Sequence, residues 1–298
     1  MAGVESSKKQ SSSFLRKLGI ILEMIKFEHT VFALPFALTS AVVAASGIPV
    51  WRTLGWILAA MVGARSAAMA FNRIADLKFD AKNPRTAGRA IPKGVISVTE
   101  AWAFTLAAIA VFVLAAGMLN RLALLLSPVA LVVILGYSYT KRFTSWSHLV
   151  LGLSLGIAPV GAWIAVTGKL ELQPMILAAC VMLWTAGFDV IYSLQDVEFD
   201  CKMGLFSLPK ALGESRALLV SRLMHAIMMG LLVWFGLACG MGTIFYIGLA
   251  VISLFIIYEH SIVSPADLSR VNAAFFTMNG CVSISFFIFA LADVLVRR

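Results

Sequence analysis

Apolar residues run in long stretches along most of this chain, and short polar or glycine-containing breaks separate them. A helix needs about 20 apolar residues to cross a hydrocarbon core about 30 Å thick, and these stretches reach that length. The alternating pattern of a barrel strand is absent, and a helix satisfies its own backbone hydrogen bonds in lipid. We therefore predict nine transmembrane helices, at approximately 20–46, 51–72, 99–118, 121–140, 146–167, 172–194, 215–239, 242–260 and 271–295.

Composition indicates the same class of protein, because 60% of the residues are hydrophobic and 13% are charged. A water-soluble domain of this length could not cover so much apolar surface. Residues 1–13 are polar and rich in Ser and Lys, so we expect a disordered cytoplasmic tail before one transmembrane domain over residues 14–298. We expect no cleavable signal peptide. The four cysteines are scattered, which indicates neither a disulfide framework nor a zinc site.

Cationic residues concentrate on one side of the predicted membrane, in the N-terminal tail and in the loops 73–98, 141–145, 195–214 and 261–270. The positive-inside rule predicts that this side is cytoplasmic and that the C-terminus lies outside. The net charge of +9 then requires no nucleic-acid partner. Topology alone does not explain why the same loops also hold most of the acids.

The first acidic motif follows the second predicted span. Asp76 and Asp80 are four residues apart, so on a helix both carboxylates project from one face. Asn72 continues this stripe one turn earlier, and Arg65 lies about two turns further toward the membrane. Like charges at this spacing repel, so the pattern predicts a bound counter-cation.

A second motif follows the sixth predicted span, where Asp196 and Asp200 share a face with Tyr192 and Asp189 on or near it. Mg²⁺ takes one or two protein carboxylates and completes its octahedron with water and phosphate oxygens. The two matched pairs therefore predict a diphosphate held through bridging metal ions. Ordinary solvated loop acids would account for one pair, but they account poorly for two.

Basic residues beside the acids complete the candidate site. Tyr137 and Lys141 share a face at the end of the fourth predicted span, and Lys141 and Arg142 suit phosphate oxygens. Either cation could instead anchor the topology. The Pro- and Gly-containing loop 83–94, which carries Arg85, is a candidate lid over the leaving group.

These residues resemble those of the UbiA superfamily of intramembrane prenyltransferases over nearly the whole chain after the tail. The matching motifs are Asn72-x-x-x-Asp76-x-x-x-Asp80, Arg85-Thr-Ala-Gly-Arg89-x-Ile-Pro, Tyr137-x-x-x-Lys141 and Asp189-x-x-Tyr192-x-x-x-Asp196-x-x-x-Asp200. The chain looks most like the 4-hydroxybenzoate polyprenyltransferase group, and residues 82–89 are similar to the branch found with the futalosine route to menaquinone. Arg73 departs from that group, which commonly has Asp at this position. The difference affects the expected identity of the acceptor more than the expected reaction.

The resemblance implies an all-α integral membrane fold with nine helices around a central cavity and a cytoplasmic cap. It implies Mg²⁺-dependent transfer of a polyprenyl group from an allylic polyprenyl diphosphate to an aromatic quinone precursor, in a bacterial inner membrane. The implied metal ligands are Asp76, Asp80, Asp196 and Asp200, helped by Asn72. The implied diphosphate contacts are Lys141, Arg142, Arg85, Lys82 and Tyr137. The implied acceptor contacts are Arg65, Asp189 and Tyr192.

An ion-coupled membrane transporter is the main alternative, because intramembrane acids also mark ion paths. Transporters hold their ions near the midplane, whereas these acids cluster at the cytoplasmic interface. A lipid-binding scaffold would not require two paired Asp sites. We therefore favour the enzyme.

Overall fold

A computed structural model of the chain describes residues 19–20 and 32–297. The predicted tail and most of the N-terminal half of the first predicted span lie outside the described residues. Within them the chain is built of helices and one isolated bridge between Ser264 and Asp267. The prediction of an all-α membrane fold is confirmed for this part of the chain.

In chain order the helices are α1 (Leu34–Ala44), α2 (Trp51–Ala75), α3 (Leu77–Asp80), α4 (Val98–Leu119), α5 (Arg121–Gly136), α6 (Ser147–Thr167), α7 (Leu172–Ser193), α8 (Val197–Met203), α9 (Leu208–Leu212), α10 (Glu214–Ala238), α11 (Thr243–Ser261) and α12 (Asn279–Val296). The 3₁₀ turns Tyr137–Arg142 and Leu194–Asp196 extend α5 and α7, and the π-helical segment Ala273–Met278 precedes α12. With these extensions, eight helical segments are long and apolar enough to cross a membrane. Helix α1 has only 11 described residues, so the count of nine stays a prediction.

The helices form two similar halves. In the first half α2 packs against α4, and in the second half α7 packs against α10. Each of these pairs is joined through one of the two acidic motifs. Helices α6 and α7 join the halves, and their approach needs glycine: a Cβ on Gly152 would lie 2.1 Å from the carbonyl oxygen of Met182. This arrangement brings both acidic motifs to one end of the molecule.

Polar caps fix helix ends at the opposite end of the molecule. The Asn120 side chain accepts a hydrogen bond from the N–H of Ala123 at 2.9 Å and donates to the carbonyl of Ile164 at 2.7 Å. Asp293 of α12 accepts from the N–H of Gly242 at 2.7 Å, at the start of α11. Such contacts satisfy backbone groups that a helix end leaves free.

The outward faces of the helices expose large apolar side chains, among them Val132, Leu237, Leu254 and Ile257. In water so extensive an apolar surface would drive association, whereas lipid tails solvate it. The interior is also apolar and contains the fully buried Trp184. The chain is therefore a multi-pass membrane protein.

Candidate active site

A cavity of about 1120 Å³ lies where the two acidic motifs meet. The end of α2, the loop that follows α3, the 3₁₀ turn after α5, the start of α6, the end of α7 and the π-helical segment form its wall. Its wall includes the predicted residues Arg65, Asn72, Asp76, Arg85, Tyr137, Lys141, Asp189, Tyr192 and Asp196. Residues from both halves of the sequence are thus brought into one site.

The first acidic motif is arranged differently from its predicted single helical face. Helix α2 ends at Ala75, and Asp76 has φ −90° and ψ 4° before the short helix α3. Asp76 lines the cavity, whereas Asp80 is 7% exposed and lies outside the cavity wall. Both Asp80 oxygens accept hydrogen bonds from Arg89 Nη1, at 2.7 and 2.6 Å. The interruption gives two like charges different surroundings, although an unbroken helix would hold them side by side.

The second acidic motif has the same construction. A 3₁₀ turn ends at Asp196, which lines the cavity, and α8 then carries Asp200 into the interior at 0% exposure. Lys141 Nζ lies 2.9 Å from Asp200 Oδ1. The approach is outside hydrogen-bond geometry, so the contact is an ion pair without a hydrogen bond. Each motif therefore has one carboxylate facing the cavity and one neutralised behind it.

Arg85 connects the two halves across the cavity. Its Nη2 donates to Asp196 Oδ2 at 2.6 Å, and its Nη1 donates to the Tyr192 hydroxyl at 2.7 Å. Burial alone would lower the pKa of Arg85, but Asp196 and Tyr192 together raise that pKa above its ordinary value. Arg85 is thus a fixed positive charge beside the second motif.

Asp76 has polar neighbours but incomplete charge compensation. Asn72 Nδ2 donates to Asp76 Oδ2 at 2.9 Å, and Arg142 Nη2 lies 3.6 Å from Asp76 Oδ1. Burial raises the pKa of Asp76, and the nearby Asp80 raises it further, against the lowering effect of Arg142 and Asn72. The charged form of Asp76 is therefore disfavoured until a further cation approaches it.

Two of the predicted diphosphate contacts lie outside the cavity wall. Lys82 is exposed, because the chain turns at Asn83, whose side chain accepts from the N–H of Arg85 at 3.0 Å. This turn directs Arg85 into the cavity in place of Lys82. Arg142 lies with its guanidinium 4.7 Å from the Tyr139 ring centroid and acts on the site through Asp76.

Arg65 and Arg73 bring positive charge to the cavity wall without forming an ion pair within the described residues. The Nε atoms of both are buried and have no hydrogen-bond partner in the described part of the chain. Arg73 Nη1 donates to Asn72 Oδ1 at 3.4 Å. Because a buried guanidinium without an anion is costly, both residues favour an anionic ligand.

Sequence reasoning missed His148, which lines the cavity at the start of α6 and is 2% exposed. Its Nδ1 lies 2.7 Å from Asp189 Oδ2, and its Nε2 accepts from the N–H of Leu208 at 3.3 Å. A signal was present in the sequence. An ionisable residue at the start of a membrane span is a functional candidate by default.

An aromatic wall was missed as well. Phe275 and Phe276 of the π-helical segment line the cavity, together with Phe188 of α7. The Tyr192 and Phe275 rings have centroids 4.2 Å apart. In a chain with 20 phenylalanines, sequence alone does not separate residues facing the cavity from those facing lipid.

A second cavity of about 390 Å³ lies among α2, α4, α5 and α6 and is lined almost entirely by apolar side chains. It shares Arg65, Met69, Tyr137, Leu151 and Leu155 with the polar cavity. The exposed residues Val129 and Leu153 also belong to its lining. An apolar chain could therefore run from the polar site toward the lipid-facing surface.

The chain resembles known proteins in sequence and in fold. The sequence pattern of the UbiA prenyltransferase family matches residues 33–281. A 4-hydroxybenzoate octaprenyltransferase of Aliivibrio fischeri (strain ATCC 700601 / ES114) is 30% identical over 254 residues, which are 85% of this chain and 88% of that protein. The apo structure of a UbiA homolog from Aeropyrum pernix K1 matches with a TM-score of 0.81 and 38% identity, over 91% of this chain and 98% of that one. A UbiA homolog from Archaeoglobus fulgidus bound to GPP and Mg²⁺ shares the fold with a TM-score of 0.70 at 20% identity, over 93% and 99% of the two chains.

Proposed function

Because this chain belongs to the UbiA prenyltransferase family and is a prenyltransferase, we propose that it transfers a polyprenyl group from an allylic polyprenyl diphosphate to an aromatic quinone precursor. The observation that carries the proposal is that Asp76 and Asp196, from separate halves, line one cavity beside several cations. The hydroxybenzoate octaprenyltransferase relative supports an aromatic acceptor. The archaeal homologue bound to GPP and Mg²⁺ supports an allylic diphosphate donor.

The donor atoms of the cavity fit Mg²⁺, because Asp76, Asp196 and the Asn72 amide offer hard oxygen ligands. Within the described residues no three acidic, His or Cys groups gather into a cluster, so the diphosphate would supply the remaining ligands. Bound there, Mg²⁺ would neutralise charge on the leaving diphosphate. Asp80 and Asp200 support the same site by holding Arg89 and Lys141, and ligation by either would require its ion pair to open.

Lys141, Arg85 and Arg89 line the cavity and stabilise the diphosphate as its bond to the prenyl carbon breaks. The electron pair of that carbon–oxygen bond leaves with the diphosphate. A ring carbon of the acceptor attacks the allylic cation, a carbon–carbon bond forms, and the ring then loses a proton to solvent or diphosphate. The faces of Tyr192 and Phe275 stabilise the cation and exclude water.

The guanidinium of Arg65, whose Nε has no hydrogen-bond partner among the described residues, suits a carboxylate on the acceptor, and Arg73 makes this part of the cavity more positive. Asp189 and Tyr192 are available for an acceptor hydroxyl. An acceptor that carries both a carboxylate and a ring hydroxyl matches these groups. A hydroxybenzoate-like or menaquinone-pathway acid has this chemistry.

The apolar cavity would hold the prenyl tail, and Gly161 offers a way to test this. Gly161 lines that cavity, and a Cβ placed on it would have no atom within 4 Å. Gly161→Leu should fill part of the cavity and reduce turnover of long donors more than turnover of geranyl diphosphate. Gly230→Leu is the matched control, since Gly230 has equal space and lies outside this cavity. Equal turnover ratios in both variants would exclude this route for the tail.

We propose that the protein lies in a bacterial inner membrane with its N-terminus and active site in the cytoplasm, since cations cluster at that end. Cys201, beside the second motif, is exposed, whereas Cys180 is buried. A membrane-impermeant maleimide should label Cys201 only after intact spheroplasts are permeabilised, and Cys201→Ser should abolish that labelling. Labelling of intact spheroplasts at Cys201 would reverse the orientation.

The decisive experiment uses purified protein in nanodiscs with Mg²⁺, geranyl diphosphate or longer donors, and a panel of aromatic acids. Mass spectrometry should detect a prenylated acid that EDTA abolishes. The acid that reacts would identify the acceptor. Donor binding that requires Mg²⁺ but gives no product would restrict the proposal to the donor site. Absence of both would favour the ion-coupled transporter.

A further inference from the structure

Outside the groups already assigned to the diphosphate, His148 and Asp189 form a pair in the cavity wall. His148 is the second residue of α6, and Asp189 lies one turn before the end of α7, across the helix contact that joins the two halves. The His148 side chain is 2% exposed and the Asp189 side chain is 24% exposed. The histidine is thus enclosed, while the carboxylate reaches the cavity.

Hydrogen-bond partners select one tautomer of His148. The N–H of Leu208 points at Nε2 at 3.3 Å, and a backbone N–H can only donate, so Nε2 must be the acceptor. The ring proton then resides on Nδ1, which donates to Asp189 Oδ2 at 2.7 Å. A doubly protonated ring would place two donors face to face at Leu208.

Only one oxygen of Asp189 is used by this contact. Its Oδ1 has no hydrogen-bond partner among the described residues, and Asp189 lines the same cavity as Arg65 and Tyr137. A carboxylate fixed through one oxygen presents the other in a defined direction. The free oxygen can accept a hydrogen bond from a ligand hydroxyl.

We propose that His148 is a positioning residue that holds Asp189 Oδ1 toward the hydroxyl of the aromatic acceptor. This inference rests on the proposed prenyl transfer and names a residue of its acceptor site. The backbone N–H that orients His148 belongs to α9, directly after the second acidic motif. In that segment the N–H of Phe206 donates to the carbonyl of Lys141 at 2.8 Å, and Lys210 Nζ donates to the carbonyl of Leu205 at 2.7 Å. The acceptor site is therefore completed only when the second motif is in place.

Two substitutions at His148 separate its two contacts. The amide of Asn reaches the position of Nδ1 and can still donate to Asp189, whereas the amide of Gln reaches the position of Nε2 and keeps only Leu208. His148→Gln should raise the acceptor KM about tenfold, as expected for a lost hydrogen bond to a charged group. The donor KM should stay unchanged in both variants. His148→Asn should retain an acceptor KM within about threefold of the original protein.

A double substitution tests whether His148 acts through Asp189. Asp189→Asn should raise the acceptor KM in the original protein and add little in the His148→Gln background. A purely structural role predicts a different outcome. In that case both His148 variants would lose thermal stability, and their KM values for donor and acceptor would change together. This result would overturn the proposal.

Nitrogen-15 NMR of histidine-labelled protein gives a readout that needs no turnover. The chain has four histidines, so His148→Gln identifies the His148 signals by difference. We expect a pyrrole-type Nδ1 and a pyridine-type Nε2, and the opposite tautomer would overturn the inference. If the original protein prenylates no acid, the proposed function fails, while the NMR result still decides the His148 geometry.

Discussion

In the first acidic motif the buried Asp80 takes its cation from Arg89 of the same loop, whereas in the second motif the buried Asp200 relies on Lys141 from the other half. Asp80 keeps slight contact with solvent and Asp200 has none. The ion pair of the first motif can therefore form within one loop, without contact between the two halves. The second motif needs the two halves to pack, because a buried carboxylate without a cation is strongly unfavourable.

The two carboxylates that face the cavity also take their cations from the first half of the chain. Asp76 is approached by Arg142 and Asp196 by Arg85, and both cations belong to the first half. Together with Arg89 and Lys141, every cation seen to pair with these four acids within the described residues lies between positions 85 and 142. The second half contributes carboxylates, and the first half contributes carboxylates and the cations for both.

The largest expected effect is on turnover, from removing either carboxylate that faces the cavity. Asp196→Asn and Asp76→Asn keep the shape of the side chain but remove the charge that would hold the metal–diphosphate, so each should lower kcat/KM about 10³-fold. Rates of product formation in nanodiscs would measure this.

Glu198→Gln is the matched control, because Glu198 lies in the same segment and, among the described residues, pairs with the exposed Lys202 alone. Its turnover should stay within about twofold of the original, as for other exposed ion pairs. If Asp196→Asn is severe and Asp76→Asn is mild, the two motifs do not have equivalent roles.

The next effect is on folding, where the buried carboxylates should differ from each other. Asp200→Asn removes the ion pair with Lys141, whose side chain is 34% exposed, and leaves a fully buried amide, so it should destabilise the protein by about 2 kcal/mol. Asp80→Asn should cost less, because the Asp80 carboxylate keeps slight contact with solvent, which screens its ion pair with Arg89, whereas Asp200 has no such contact. Thermal unfolding in detergent, followed by circular dichroism, would compare them.

Lys141→Met in the Asp200→Asn background provides the control, since it removes the unpaired charge and should recover part of the lost stability. An unchanged melting temperature together with lost Mg²⁺ dependence would contradict this interpretation. Asp200 would then act as a direct metal ligand.

The membrane fold was largely predictable from the sequence. The predicted span 51–72 compares with Trp51–Ala75, and 99–118 compares with Val98–Leu119. Lipid requires each span to close its own hydrogen bonds, so length and hydropathy define a helix with little help from tertiary packing. The interruption at Asp76 was not predictable, since it depends on the separate cations that Asp76 and Asp80 find.

The residue types of the site were predictable, but most of their pairings were not. Motif spacing indicated Asp76 and Asp196, yet the contact of Arg85 with Asp196 joins residues far apart in the chain. Lys82 fits the same charge pattern as Arg85, and only the turn at Asn83 separates them. The periodicity of a local segment does not indicate which cation contacts a carboxylate of the other half.

A smaller loss should follow from weakening the contact between the halves at Arg85. Arg85→Lys keeps the charge but replaces the two donor nitrogens of the planar guanidinium, one on Asp196 and one on Tyr192, by a single ammonium nitrogen, so kcat/KM for the donor should fall about tenfold. Arg85→Gln should lower it further. Lys82→Gln is the control, because the exposed Lys82 lies outside the cavity wall and its loss should change the rate less than about twofold. An equal loss for Lys82→Gln would mean that the loop rearranges when donor binds.

The smallest effect should come from Tyr192→Phe, which removes one hydroxyl and keeps the ring. The guanidinium of Arg85 lies 5.2 Å from the Tyr192 ring centroid, and that contact persists in phenylalanine. The loss is then the hydrogen bond from Arg85 to the hydroxyl, worth about 1 kcal/mol, or about fivefold in kcat/KM for the donor.

The Arg85→Gln background decides what that fivefold loss means. If the hydroxyl acts only by orienting Arg85, Tyr192→Phe should have no additional effect on the donor once Arg85 is gone. A further loss that appears in the acceptor KM would instead assign the hydroxyl to the acceptor. Tyr192 would then serve both substrates, and the second half would contribute more to the site than carboxylates.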